Sequence, residues 1–132
     1  MGHHSEAELN RKFVEFANLM NVYLNHFPKH ERFGICLHIR QTAYETYALI
    51  IEAQKRYHKK TTLCNLDIKH EQLRMMIALA YEMGYFAFKD GRVAKDGNGH
   101  EAHRYCALSL MVDELGRMIG GWIAHERQRE SS

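Results

Sequence analysis

The chain has 132 residues, 45% of them hydrophobic and 26% charged, a globular composition long enough to bury a core within one domain spanning 1–132. No apolar run approaches the roughly 18 residues a membrane span needs, no uninterrupted apolar stretch marks a secretory leader, and three scattered cysteines (Cys36, Cys64, Cys106) argue against a disulfide framework. Net charge is only +2, yet residues 29–74 carry nine Lys/Arg against five Asp/Glu, so the positive surplus sits in the middle of the chain.

Met1-Gly2-His3-His4-Ser5 reads as an appended or disordered leader and is set aside. Leu9, Phe13, Phe16, Met20, Tyr23 and Phe27 then recur at spacings of 4, 3, 4, 3 and 4, one apolar stripe of an amphipathic helix. Phe27-Pro28 ends it, since proline removes a donor and disfavours helical backbone in the residue before it. A second helix is expected over about Lys29–Tyr57, with two apolar stripes. One is Phe33, Cys36/Leu37, Tyr44, Tyr47 and Ile50/Ile51; the other is Ile35, Ile39, Leu49 and Ala53. A single bundle buries one face per helix, so the second stripe points to a subunit contact.

Asn65 or Asp67 can cap a third helix, which runs through Leu73, Met76, Ile77, Ala80 and Met83 to about Phe86. Lys89–Gly99 is glycine-rich and reads as a mobile loop. A fourth helix shows Tyr105, Leu108, Val112, Leu115, Ile119 and Trp122 at spacings of 3, 4, 3, 4 and 3. No strand-like run stands out, and short connections favour an all-α, up-down antiparallel four-helix bundle.

Four stretches could carry chemistry. Lys55-Arg56-Tyr57-His58-Lys59-Lys60 is either a solvated helix end, where cations are favoured, or a phosphate-contacting patch with Tyr57 free to stack on a base. Arg40, Lys69 and Arg74 extend it if the second and third helices are antiparallel neighbours. His100-Glu101-Ala102-His103 with Cys106 superficially suggests a metal site, but its histidines are three apart where the zinc-protease helix needs four, and no metal is expected. Arg32 and His38, with five residues between them, resemble the Arg-His signature of HEPN-type ribonucleases, in which His acts as acid/base and Arg steadies phosphate. No phosphate loop, nucleophile elbow or carboxylate pair accompanies them, and no catalytic residue is expected.

The last stretch is Glu114-Leu115-Gly116-Arg117-Met118-Ile119-Gly120-Gly121-Trp122-Ile123. Each glycine within a helix costs about 1 kcal/mol relative to alanine, so three within six residues need a reason. Gly116 and Gly120 stand one turn apart and would let another helix approach closely. Arg117 follows Asp113 by four residues, a favourable pairing distance. The contact could lie within the chain or with another subunit.

This run resembles the accessory variability determinant (Avd) family of diversity-generating retroelements, and is similar to the four-helix proteins of ribosomal-RNA intervening sequences. Phe27-Pro28-Lys29, Glu31-Arg32-Phe33-Gly34, Ile39-Arg40, Ile51-Glu52-Ala53 and Leu73-Arg74 match as well, in the family's order. The Gly-Arg-x-x-Gly-Gly-Trp-Ile ending is the distinctive piece, and the Lys89–His100 loop departs from the family pattern. The resemblance implies an up-down four-helix bundle assembled into a pentameric ring with a positive surface. The scattered cysteines fit a reducing, cytoplasmic setting; the resemblance further implies a protein, with no cofactor expected, that binds the retroelement's reverse transcriptase and RNA or DNA and supports mutagenic reverse transcription. On that reading Lys55, Arg56, Lys59 and Lys60, with Arg40 and Arg74, contact phosphate; Ile35, Ile39, Leu49, Gly116, Arg117 and Gly120 meet a subunit or partner. The alternatives are an intervening-sequence protein and a HEPN-like ribonuclease.

Overall fold

The computed structural model describes residues 3–94 and 100–131. Four helices account for most of them: α1 (His3–Leu24), α2 (Ile35–Lys55), α3 (Lys60–Glu82) and α4 (His100–Ser131). Each packs on its neighbours in sequence, and α4 returns to α1. Side-chain pairs fix the directions. Asn10 meets Gln54 while Arg40 meets Asn21, Glu45 meets Lys69 while Glu52 meets Thr62, and His70 meets Val112 while Tyr81 stacks on Tyr105. In all three pairings a higher number on one helix meets a lower number on the next, so consecutive helices are antiparallel. The expected all-α four-helix bundle is the fold, and no helix among the described residues is long and apolar enough to cross a membrane.

The stripes expected for the terminal helices form the core. Leu9, Phe13, Phe16, Met20 and Phe27 are buried from α1 and the turn after it, as are Leu108, Val112, Leu115, Ile119 and Trp122 from α4. The second helix requires a correction. Its buried seam is Cys36, Ile39, Ala43, Thr46, Ile50 and Ala53, which mixes the two expected stripes. Thr46 is tolerated there because its hydroxyl donates to the Thr42 carbonyl at 2.7 Å. Ile39 is 1% exposed within its own chain, and Ile35 and Leu49 pack at the core's edge. That set builds the bundle, so the excess apolar surface of α2 must be sought elsewhere.

Helix boundaries also shift. Pro28 opens a short 3-10 turn, Lys29–Glu31, and α2 begins only at Ile35. Glu31 holds this junction: one carboxylate oxygen accepts from the Ile35 backbone N–H at 3.3 Å, the other from the Tyr85 hydroxyl at 2.7 Å. The Tyr85 hydrogen bond is the main reason the Glu31 carboxyl is held below its ordinary value of 4.5. Its contribution to stability is present above that value and lost as pH falls through the lower folded one. Tyr85→Phe is therefore expected to lower stability near neutral pH. Denaturant unfolding should show that difference shrinking in acid; a difference independent of pH would contradict this role.

α3 starts at Lys60, so Asn65 and Asp67 lie inside it as exposed residues rather than at its cap. It ends at Glu82, where Gly84 takes the left-handed conformation (φ 81°) that stops a helix. Phe86 sits in a further 3-10 turn, Tyr85–Ala87. The expected loop at Lys89–Gly99 begins as a hairpin. β1 (Phe88–Lys89) pairs antiparallel with β2 (Arg92–Val93) across Asp90-Gly91, both with positive φ, the geometry that tight hairpin turns favour. The Gly91 N–H donates to the His26 carbonyl at 3.1 Å, tying the hairpin to the end of α1. The remainder of the expected loop, 95–99, lies outside the described residues.

Candidate nucleic-acid interface

The basic cluster falls where the chain reverses between α2 and α3, and its members have different fates. The Lys59 ammonium donates to the Ala53 carbonyl and to the Arg56 carbonyl at 2.7 Å, capping α2. Its first task is structural. Arg56 lies 3.4 Å from Glu52 and is partly neutralised. Lys55 and Lys60 are exposed and enter no ion pair among the described residues. Tyr57 is 81% exposed, with its ring edge-on to His58 at 4.9 Å. One end of the bundle thus presents two free ammonium groups, a half-neutralised guanidinium and an aromatic face.

Arg40 and Arg74 do not join this end. Each lies about 14–15 residues along its helix from Lys55 or Lys60, on the order of 21 Å. The Arg40 guanidinium donates to Asn21 and Asn25 of α1 at 2.9 and 2.8 Å. Arg74 pairs with Glu71 at 2.5 Å, which raises its pKa. Lys69, 3.0 Å from Glu45, is likewise spent at the waist. Positive charge is therefore neutralised along the middle of the α2–α3 pair and left free at its turn.

The glycine run divides into two functions. A Cβ on Gly116 would stand 2.6 Å from His70 Cε1, so this glycine is a notch for the His70 ring. His70 is 6% exposed and donates from Nε2 to the Val112 carbonyl at 2.7 Å. Close approach is thus by a side chain of α3, within the chain. Gly120 and Gly121 have nothing within 4 Å of where a Cβ would be, so no contact within the chain uses Gly120. Gly120 instead lines a groove of about 380 Å³ between the start of α3 and the end of α4, with Lys60, Leu63, Cys64 and Asp67 facing Ile123, Glu126, Arg127 and Glu130. Arg117 is exposed, and the expected pair with Asp113 does not form.

The remaining candidates stay apart. Arg32 places its guanidinium 5.4 Å from the Phe33 ring centroid, and no hydrogen bond or ion pair joins it to the exposed His38. His100, His103 and Cys106 are all exposed on α4, and no cluster of three potential metal ligands occurs among the described residues.

A family model described as bAvd-like matches residues 8–126. The chain belongs to the bAvd-like family. No curated protein and no solved structure matches it. The bAvd-like match reaches into all four helices and takes in the whole Gly116–Ile123 run.

Two features of this bAvd-like chain take their place only in the tertiary fold. Arg127 shares the groove with Lys60, although the two are far apart in the chain; only the antiparallel pairing of α3 with α4 joins them. The other is an exposed apolar face. Phe33 (78% exposed), just before α2, and Leu37, Tyr44 and Ile51 along it are exposed, as are Ile68, Met75 and Leu79 of α3 and Met83 at its end. The cross-helix pairs at 42–76, 45–69 and 52–62 show that the two helices themselves lie side by side. The seven-residue spacing of 37, 44 and 51, and of 68 and 75, was the available signal.

Proposed function

We propose that this bAvd-like chain is a cytoplasmic, non-catalytic accessory protein of a diversity-generating retroelement, binding nucleic acid and the element's reverse transcriptase as a homo-oligomer. The observation that carries the nucleic-acid part is the free positive charge of Lys55 and Lys60 beside the exposed Tyr57, at the end of a bundle whose middle is neutralised. Cations there attract the phosphate backbone with little regard to sequence, and an exposed ring offers a stacking face. Repetition around a ring of subunits would multiply this modest charge into a continuous basic surface. The family membership supports the partner, and the resemblance supports five subunits.

The outer face of α2 and α3 is the surface best suited to assembly. It carries eight large exposed hydrophobic residues, and patches of that kind usually mark contacts. This replaces Ile35, Ile39 and Leu49 as the oligomer surface. Co-purification tests the partner assignment: tagged chain should retain the reverse transcriptase encoded beside its gene. Absence of that enzyme at low salt, with assembly intact, would contradict it. No nuclease activity is expected, and His38→Ala should leave the background rate unchanged.

A further inference from the structure

We infer that the groove between the start of α3 and the end of α4 holds one base of a bound single strand, favouring bases with exocyclic amino groups; this rests on the nucleic-acid reading of the adjoining basic turn. The first observation is Gly120. It weakens α4 relative to alanine, yet nothing within the chain occupies the space its missing side chain leaves. That space belongs to a groove of about 380 Å³, within the range of small-ligand pockets.

The groove's chemistry points to a base rather than to phosphate or an aliphatic side chain. Leu63 and Ile123 supply apolar surface on which a ring can lie. Glu126, 8% exposed, adds a nearly buried carboxylate, with the Arg129 guanidinium at 3.8 Å. Asp67 and Glu130 add two more carboxylates. The three carboxylates outnumber Lys60 and Arg127, which disfavours a phosphate inside the slot, and an apolar side chain would cover Asp67 and Glu130 without offering them a hydrogen bond. Amino groups of cytosine, adenine or guanine satisfy them, as carboxylates do when they accept from cytosine N4. Lys60 belongs both to the groove and to the basic turn, and Arg127 faces it across the groove. A strand with phosphates on Lys55, Lys60 and Arg127 would therefore carry a base to the slot.

The test is fluorescence anisotropy with the full chain and short labelled oligo(dC), oligo(dA), oligo(dT) and an abasic strand. The parent should bind oligo(dC) and oligo(dA) roughly tenfold more tightly than oligo(dT) or the abasic strand. Gly120→Leu should fill the slot and remove that difference, with the salt dependence of binding unchanged. Asp67→Asn, an exposed change that leaves the fold alone, should reduce the preference for oligo(dC). Equal affinity of the parent for all four strands, or a preference that survives Gly120→Leu, overturns the slot while leaving the basic turn in place. An altered oligomeric state in Gly120→Leu would make the groove a contact between copies and also overturn it. Failure to bind any strand at low salt would remove both readings together.

Discussion

Gly116→Ala is expected to destabilise the chain by about 2 kcal/mol, whereas Gly120→Ala should stabilise it by up to about 1 kcal/mol. The two glycines stand one turn apart on the same helix, and simple propensity treats them alike. Their surroundings differ. A methyl group at 116 would meet His70 Cε1 at 2.6 Å and Nε2 at 3.0 Å. The ring is buried, so it must move, and moving it strains its bond to the Val112 carbonyl. Overpacking and a weakened buried hydrogen bond each cost about 1–3 kcal/mol, against about 1 kcal/mol gained in propensity. At 120 only the propensity gain remains. Urea midpoints at constant slope measure both effects. The cause is tested by repeating Gly116→Ala in a His70→Ala background, where the penalty should vanish. A penalty that stays the same would show that something other than the ring occupies the notch.

Ile68→Glu combined with Leu79→Glu should convert the assembled protein to monomers of 15.5 kDa. Both positions are about half exposed on the outer face of α3, so the substitution should cost the isolated chain within about 0.5 kcal/mol. In an interface the same carboxylates would be buried without partners, at several kcal/mol for each one. The parent should sediment as a multiple of 15.5 kDa, and the variant as one chain with unchanged helical content. A parent that is already monomeric at micromolar concentration ends the assembly reading. A variant that still assembles moves the interface to another face.

The terminal helices were legible because each turns one apolar side to the core, and the 3-and-4 spacing of Leu9–Phe27 and Tyr105–Trp122 follows that side. The second helix was harder. Its inner seam contains Ala43 and Thr46, weak signals, while Phe33, Leu37, Tyr44 and Ile51 on its outside are strong ones. Hydrophobicity alone cannot say which side is wet when both are apolar. No side-chain cap precedes Lys60, so no capping signal marks the start of the third helix, and Asn65 and Asp67 lie inside it. Asp90-Gly91 was a readable hairpin signal, diluted by the glycines that follow. At the candidate site the basic cluster was plain, but the division between capping Lys59 and free Lys55 and Lys60 depends on the chain reversal. The groove joins residues of two helices that only the tertiary fold brings together, and no local pattern marks it.

The central claim is that the α2–α3 turn binds phosphate, and the salt dependence of single-strand binding tests it most directly. Lys59 should be kept, since it caps α2 and its removal would mix folding with binding. Anisotropy titrations over a range of salt concentrations would compare the parent with Lys55→Ala/Lys60→Ala, at matched assembly state. The parent's logarithmic affinity should fall steeply with logarithmic salt, and the variant's slope should be shallower by about 0.7 for each phosphate that is no longer neutralised. Equal slopes would show that these lysines are only a solvated helix end, and would contradict the account.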